Sequence, residues 1–137
     1  MNAPDFLDTN ILVYAYQTSD ARKRKVASEL LERAVAGEGI ISTQVLAEFA
    51  AVLLHKVQPP LSRQKVDEAL NVVGPIQIVL PDAELVHRAV EVHAHYGIRL
   101  YDGMIIAAAE RAGCQRVWSE DLNAGQKYLG VTVANPF

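Results

Sequence analysis

The 137-residue chain carries 13 Lys and Arg against 16 Asp and Glu, which gives a formal net charge of −3 at pH 7. Half of its residues are apolar, an ordinary composition for a soluble domain. No apolar run reaches the ~18 residues of a membrane span, and the first ten residues lack the basic and apolar regions of a signal peptide. The single cysteine, Cys114, excludes an internal disulfide, and no zinc-type Cys/His spacing occurs. We therefore expect one cytoplasmic domain over residues 1–137.

Short apolar runs alternate with longer stretches of helical periodicity along the chain. The predicted strands are residues 4–7, 40–41, 76–80, 114–118 and 131–133. The predicted helices lie between them: one around Ile11–Tyr16, one capped by Ser19 or Asp20 and ended by Gly37 and Gly39, one from Thr43 to about Val57, one from Ser62 to about Gly74, one from Asp82 to Tyr96, and one from about Asp102 to Ala112. Strands that alternate with helices predict an α/β fold with a mostly parallel sheet.

Three acidic residues fall where strands end or helices begin. Asp8 follows the first strand in FLDTN, Asp121 follows the strand in RVWSED, and Asp102 opens the helix of YDGMIIAAA. In open parallel sheets ligands bind beyond the carboxyl ends of the strands, so these positions favour a common site. Taken singly, each acid is equally well explained as a helix cap or a first-turn acid.

Glu48 has surroundings that are untypical of a surface acid. It lies in VLAEFAAVLL, in which the other nine residues are apolar, and Leu46, Phe49 and Leu53 supply one apolar face of the predicted helix. A partly desolvated carboxylate is costly unless it is paired or bound to a metal ion. The alternative is a glutamate at the edge of the buried face that pairs with a lysine or an arginine.

The motifs around these acids contain no imidazole or thiolate. Hard oxygen ligands suit Mg²⁺ or Mn²⁺ better than zinc. Crowded carboxylates repel one another, and a divalent ion removes that penalty while it activates water and stabilises charge on a phosphodiester. Metal binding would also offset the acidic net charge, which is otherwise untypical of a nucleic-acid-binding protein.

At these residues the sequence resembles the PIN-domain family, in particular the VapC-type toxins of bacterial toxin–antitoxin pairs. The matching pieces follow the family's order and span essentially the whole chain: FLDTNILVYA, ISTQVLAEFAAVL, YDGMIIAAAERAGC, WSEDLNAG and VTVANPF. The resemblance implies a PIN-like three-layer α/β/α domain and a Mg²⁺- or Mn²⁺-dependent endoribonuclease whose products carry a 3′-hydroxyl and a 5′-phosphate. It further implies an RNA substrate, a VapB-like antitoxin partner and a homodimer.

The resemblance also assigns roles to the acids. Asp8, Glu48, Asp102 and Asp121 match the family's four acidic positions one for one. The first three are expected to form the main metal site, and Asp121 to complete a second metal site or to orient the attacking water. Glu120, its neighbour, competes for that last position.

Supporting residues follow from the same motifs. Thr9 matches the hydroxyl residue that helps to hold the site by hydrogen bonding. Asn123 is a candidate for contacting metal-bound water, with a turn-capping role as the alternative. Gly103 stands where alanine is more usual, which predicts a slightly looser first helical turn.

The sequence has one basic run, at the start of the second predicted helix: Arg22, Lys23, Arg24 and Lys25. Such a run is normally a solvated helix face. The alternative is a grip for RNA phosphates or for the antitoxin near the acidic pocket, and Arg99 is a further candidate for that contact.

Other functions make different demands on the sequence. A haloacid-dehalogenase-like phosphatase needs a second Asp two residues after Asp8, where Asn10 stands, and a receiver domain needs a lysine near WSED. A non-catalytic RNA-binding module would leave the four acids unexplained. A PIN nuclease of RNA processing remains open beside the toxin, which the compact chain favours.

Overall fold

The computed structural model describes residues 3–137; the predicted domain's first two residues lie outside this range. The strands are β1 (Asp5–Leu7), β2 (Gly39–Ser42), β3 (Gln77–Val79), β4 (Arg116–Trp118), β5 (Lys127–Tyr128) and β6 (Val131–Ala134). The helices are α1 (Thr9–Tyr16), α2 (Ala21–Arg33), α3 (Thr43–His55), α4 (Arg63–Val73), α5 (Ala83–Tyr96) and α6 (Leu100–Arg111). A short irregular helical segment, Ala34–Glu38, follows α2 and is kinked at Gly37, whose φ is 103°. Within residues 3–137 no helix is long and apolar enough to cross a membrane.

One six-stranded sheet organises the fold, in the order β3-β2-β1-β4-β6-β5. Every neighbouring pair is parallel except β5 and β6, which form an antiparallel hairpin. The predicted α/β fold with a mostly parallel sheet is therefore confirmed. β5 was not predicted, because two residues are too short to show an alternation of apolar and polar side chains.

The middle of the sheet is buried. All four residues of β2 are buried, as are Phe6 and Leu7 in β1 and Val117 in β4. Strands of a parallel sheet are covered on both faces, which explains why they read as short continuous apolar runs. The loops that follow β1 and β4 therefore begin at strands that are buried in the core.

Two helix starts differ from the sequence prediction. Ser42, not Thr43, caps α3, because Ser42 ends β2 in an extended conformation and its hydroxyl accepts a hydrogen bond from the Val45 amide at 3.3 Å. α6 begins at Leu100, so Asp102 lies inside its first turn and does not open the helix. A first-turn carboxylate still faces the positive end of the helix dipole.

Gly103 is required by packing, which corrects the expectation of a looser turn. A Cβ built on Gly103 would lie 2.8 Å from the backbone oxygen of Ala89 in α5, closer than real Cβ contacts. The missing side chain therefore lets α5 and α6 approach closely. That contact fixes the first turn of α6, which carries Asp102.

Candidate active site

Asp8 and Ser119 join the ends of two neighbouring strands. Leu7 and Trp118 are register partners in β1 and β4, so the residues that follow them leave the sheet side by side. The Ser119 hydroxyl donates a hydrogen bond to Asp8 Oδ2 at 2.8 Å, and the Thr9 amide donates to Asp8 Oδ1 at 2.7 Å. Ser119 is fully buried and Asp8 is 4% exposed. The buried Asp8 carboxylate is thus held by neutral donors.

Glu48 reaches the same place from α3. The Thr9 hydroxyl donates to Glu48 Oε2 at 2.7 Å, and the Gln44 amide donates to Glu48 Oε1 at 2.8 Å. The same Gln44 amide donates to the backbone oxygen of Tyr101 at 3.1 Å, which links α3 to α6. In the described part of the chain no lysine or arginine forms an ion pair with Glu48. The alternative of an edge glutamate with a basic partner is therefore not what the structure shows.

Asp102 and Asp121 complete the cluster with different degrees of exposure. The Asp102 side chain is 20% exposed and accepts a hydrogen bond at 3.1 Å from Arg99, whose own side chain is 82% exposed. Asp121 is exposed, and its amide donates to the Ser119 hydroxyl at 3.1 Å. Ser119 therefore connects the last acid to the first.

The pKa values show that the acids act on one another. Burial raises the pKa of Asp8 to about 6, and the negative charges of Asp121 and Glu48 add to that rise, although its two hydrogen bonds oppose it. Partial burial and then the charge of Asp102 raise the pKa of Asp121, with Arg99 acting in the opposite direction. The structure thus brings the four predicted acids into one electrostatic cluster that has a single ion-paired arginine.

The cluster matches a hard cation in its chemistry. The ligands that it offers are carboxylate oxygens. Within residues 3–137, neither Asp8 nor Glu48 forms an ion pair with a basic side chain. No three His, Cys, Asp or Glu side chains in that range are already spaced to hold one ion. The carboxylates of Asp8, Glu48 and Asp102 are instead turned towards protein donors.

Glu120 and Asn123, the residues that compete with Asp121 for its role, have partners of their own. Glu120 accepts from the Tyr14 hydroxyl at 2.7 Å and from the Lys23 ammonium at 2.8 Å, one bond to each oxygen. Asn123 is exposed and donates to Gln126 at 3.1 Å in the turn before β5. This contact corresponds to the turn-capping role that was the alternative for Asn123.

The basic run divides into residues with different contacts. Lys23 binds Glu120, whereas Arg22 and Arg24 donate to the backbone oxygens of Phe137 and Thr18. Lys25 is exposed. Lys23 is therefore the member of the run that reaches the loop carrying Asp121.

Two residues that orient the acids were missed by the sequence analysis. Ser119 stands one residue beyond a strand end and two before an acid, which is a usable signal for a loop hydroxyl. Gln44 precedes Glu48 by four residues, so both lie on one face of α3. Their hydrogen bonds to other segments depend on the tertiary fold and have no signature in the sequence.

A groove of about 390 Å³ runs from the acids along α1 and α3. Glu48 and Asp121 lie along it, Val13, Ala51 and Val52 give it apolar walls, and Lys56 is a basic residue of its lining. The groove therefore combines an acidic patch with an apolar surface.

Several solved structures of bacterial proteins share this fold. A toxin–antitoxin complex from Klebsiella pneumoniae superposes with a TM-score of 0.73 at 18% identity, covering 97% of this chain and 98% of that one. The sarcin–ricin-loop-cleaving toxin VapC20 of Mycobacterium tuberculosis gives 0.64 at 18% identity, covering 93% and 98%. FitAcB from Neisseria gonorrhoeae gives 0.69 at 18% identity, covering 96% and 97%.

No curated protein sequence matches the chain significantly. The sequence profile of the PIN domain, in contrast, matches residues 6–128, a range that contains all four acids. This match covers most of the chain, and the topology of the sheet agrees with it. The chain belongs to the PIN domain family.

Proposed function

We propose that the chain is a metal-dependent endoribonuclease and the toxin of a VapBC-type toxin–antitoxin pair. The observation that carries this proposal is that Thr9 holds both Asp8 and Glu48: its amide donates to Asp8 and its hydroxyl donates to Glu48. Asp8 is buried and Glu48 is half-buried, and both carboxylates are held by neutral donors near two further acids. A cluster of four acids in which Arg99 is the basic partner of one is costly to the fold, which is expected when it serves to bind a cation.

Asp8, Glu48 and Asp102 would hold the ion, and the protein's part is to orient them. Ser119 and Thr9 fix the two oxygens of Asp8, while Thr9 and Gln44 fix those of Glu48. When bound, Mg²⁺ or Mn²⁺ supplies Lewis-acid stabilisation of the phosphate charge and makes water a stronger nucleophile.

The exposed Asp121 would orient the water that attacks the phosphorus atom. The new P–O bond forms as the P–O3′ bond breaks, and the 3′ oxygen takes up a proton. The products are therefore a 5′-phosphate and a 3′-hydroxyl. No side chain has to act as a covalent nucleophile.

An antitoxin partner is supported by the groove beside the acids. Its apolar walls suit the apolar face of an inserted peptide segment, and Glu48 and Asp121 in its lining suit a basic side chain of that segment. Structures with this fold include a toxin–antitoxin complex and the VapBC2 pair of Rickettsia felis bound to a promoter fragment. The homodimer and the cytoplasmic location remain predictions.

The decisive experiment measures cleavage of total RNA by the purified protein, freed of any inhibitor, in Mg²⁺ or Mn²⁺. We expect discrete fragments with 5′-phosphates, and we expect EDTA and Asp8→Asn to abolish them. The matched control is Asp67→Asn, which changes an exposed acid on α4 and should cleave as the wild type does. Cleavage that persists in EDTA, or in Asp8→Asn, would contradict the mechanism.

The toxin role has its own test. Induction of the chain in a bacterial host should arrest growth, and Asp8→Asn should remove the arrest. Normal growth during high expression of a demonstrably active enzyme would favour a nuclease of RNA processing.

A further inference from the structure

Glu120 joins three segments of the chain next to the candidate active site. Its two oxygens accept from Tyr14 of α1 at 2.7 Å and from Lys23 of α2 at 2.8 Å. The Lys23 and Glu120 side chains are 31% and 27% exposed, so the pair is partly shielded from solvent. The loop after β4 is thereby tied to both N-terminal helices.

Lys23 is held by aromatic rings as well as by the carboxylate. Its ammonium lies 4.8 Å from the centre of the Tyr14 ring and 5.6 Å from that of Phe137. The two rings pack edge to face at 5.2 Å. Cation–π contacts of this kind add to the ion pair and limit the lysine to one orientation.

The residues on either side of Glu120 belong to the active-site cluster. Ser119 is fully buried against Asp8 and also accepts a hydrogen bond from the Asp121 amide. In the described residues the Asp121 carboxylate accepts no hydrogen bond from a protein donor. The position of Asp121 therefore depends on how the two residues before it are held: Ser119, which accepts from its amide, and Glu120, which binds Tyr14 and Lys23.

We propose that Glu120 is a positioning residue that acts through Tyr14 and Lys23 to hold Asp121 at the active site. Lys23 then serves the loop and does not grip the phosphates of RNA. This inference rests on the proposed function. It assigns a role to the one member of the basic run that binds an acid beside the cluster.

Three substitutions that preserve shape remove the cluster's polar contacts: Tyr14→Phe, Lys23→Met and Glu120→Gln. Each should lower kcat for RNA cleavage about tenfold, because a small displacement of a catalytic group is costly, while KM changes less than about twofold. The controls Lys65→Met and Glu29→Gln make the same chemical changes at exposed positions on α4 and α2 and should leave kcat unchanged.

A phosphate grip would give the opposite pattern. Lys23→Met would then raise KM and lower the slope of log KM against log salt concentration by about one. Glu120→Gln would lower KM, because it would release the lysine for the phosphate. Either of these results overturns the proposal.

The route through Asp121 is tested in a double mutant. In an Asp121→Asn background, Glu120→Gln should cause little further loss, because the group that it positions is already gone. A full additional tenfold loss would show that Glu120 acts elsewhere. A wild type without metal-dependent cleavage would contradict the proposed function separately.

A measurement that needs no activity completes the test. Amide hydrogen exchange of Asp121 reports its bond to Ser119, and we expect Tyr14→Phe and Lys23→Met to accelerate it at least fivefold, with the amides of β2 unchanged. Unchanged exchange at Asp121 in both variants would overturn the positioning role even if activity fell.

Discussion

The Ser119 hydroxyl lies 2.8 Å from Asp8 Oδ2 and joins the ends of β4 and β1 through two buried side chains. Because the same hydroxyl accepts from the Asp121 amide, one side chain contributes to the placement of two acids. A serine at this point therefore links the conformation of the late loop to that of the first.

Ser119→Ala should destabilise the protein and impair catalysis together. The substitution leaves the buried Asp8 Oδ2 without its donor, at a cost of about 1–3 kcal/mol in the free energy of unfolding at pH 7.5. Urea unfolding measures that loss, and RNA cleavage should fall in parallel. Ser19→Ala, which changes an exposed serine, is the control. Equal stability of Ser119→Ala and the wild type would show that the bond contributes nothing net.

Asp8 makes stability depend on pH in an unusual direction. Its folded-state pKa of about 6 lies above the ordinary value of 3.8, so between these values the folded state binds more protons than the unfolded state. The stabilising contribution of Asp8 is therefore complete below pH 3.8 and is lost as the pH rises through 6. The loss amounts to about 3 kcal/mol.

Asp8→Asn should remove this loss. We expect the variant to be inactive yet about 1–3 kcal/mol more stable than the wild type at pH 7.5, because an amide bears no charge to desolvate. Its advantage should shrink towards pH 4, as measured by urea unfolding between pH 4 and 8. A variant that is less stable than the wild type at pH 7.5 would contradict the interpretation of Asp8 as a strained ionised group.

The placement of Asp8 and Asp121 beyond strand ends was predictable, and the groups that hold the acids were not. Asp8 and Asp121 follow strand ends, and parallel strands present those ends at one edge of the sheet, so the sequence pattern is sufficient. The bonds from Ser119 and Gln44 depend on strand register and on the approach of Gln44 in α3 to Tyr101 in α6, which leave no periodic signal. The prediction that Thr43 caps α3 was wrong for a local reason, because Ser42 stands directly before it and is an equally suitable capping residue.

Gly103→Ala tests the contact between α5 and α6. Helix propensity alone favours alanine by about 1 kcal/mol, but the new Cβ would meet the backbone oxygen of Ala89 at 2.8 Å. We expect a net destabilisation of about 1–3 kcal/mol in urea unfolding, together with reduced cleavage through displacement of Asp102. Ala89→Gly should not rescue it, because the clash is with backbone. A more stable Gly103→Ala protein would refute the close contact.

Divalent cations should stabilise the folded protein by relieving repulsion among the acids. Adding Mn²⁺ or Mg²⁺ at pH 7.5 should raise the Tm, because a ligand that binds only the folded state shifts unfolding by mass action. The shift should be smaller at pH 5, where protons compete for Asp8, whose pKa is raised to about 6. Differential scanning fluorimetry with the metal-free protein measures the Tm shift at both pH values, and EDTA should reverse it.

Glu48→Gln should reduce the Tm shift caused by the metal ion, while Glu29→Gln should not. A rise in Tm that persists unchanged in Glu48→Gln would place the ion outside this cluster.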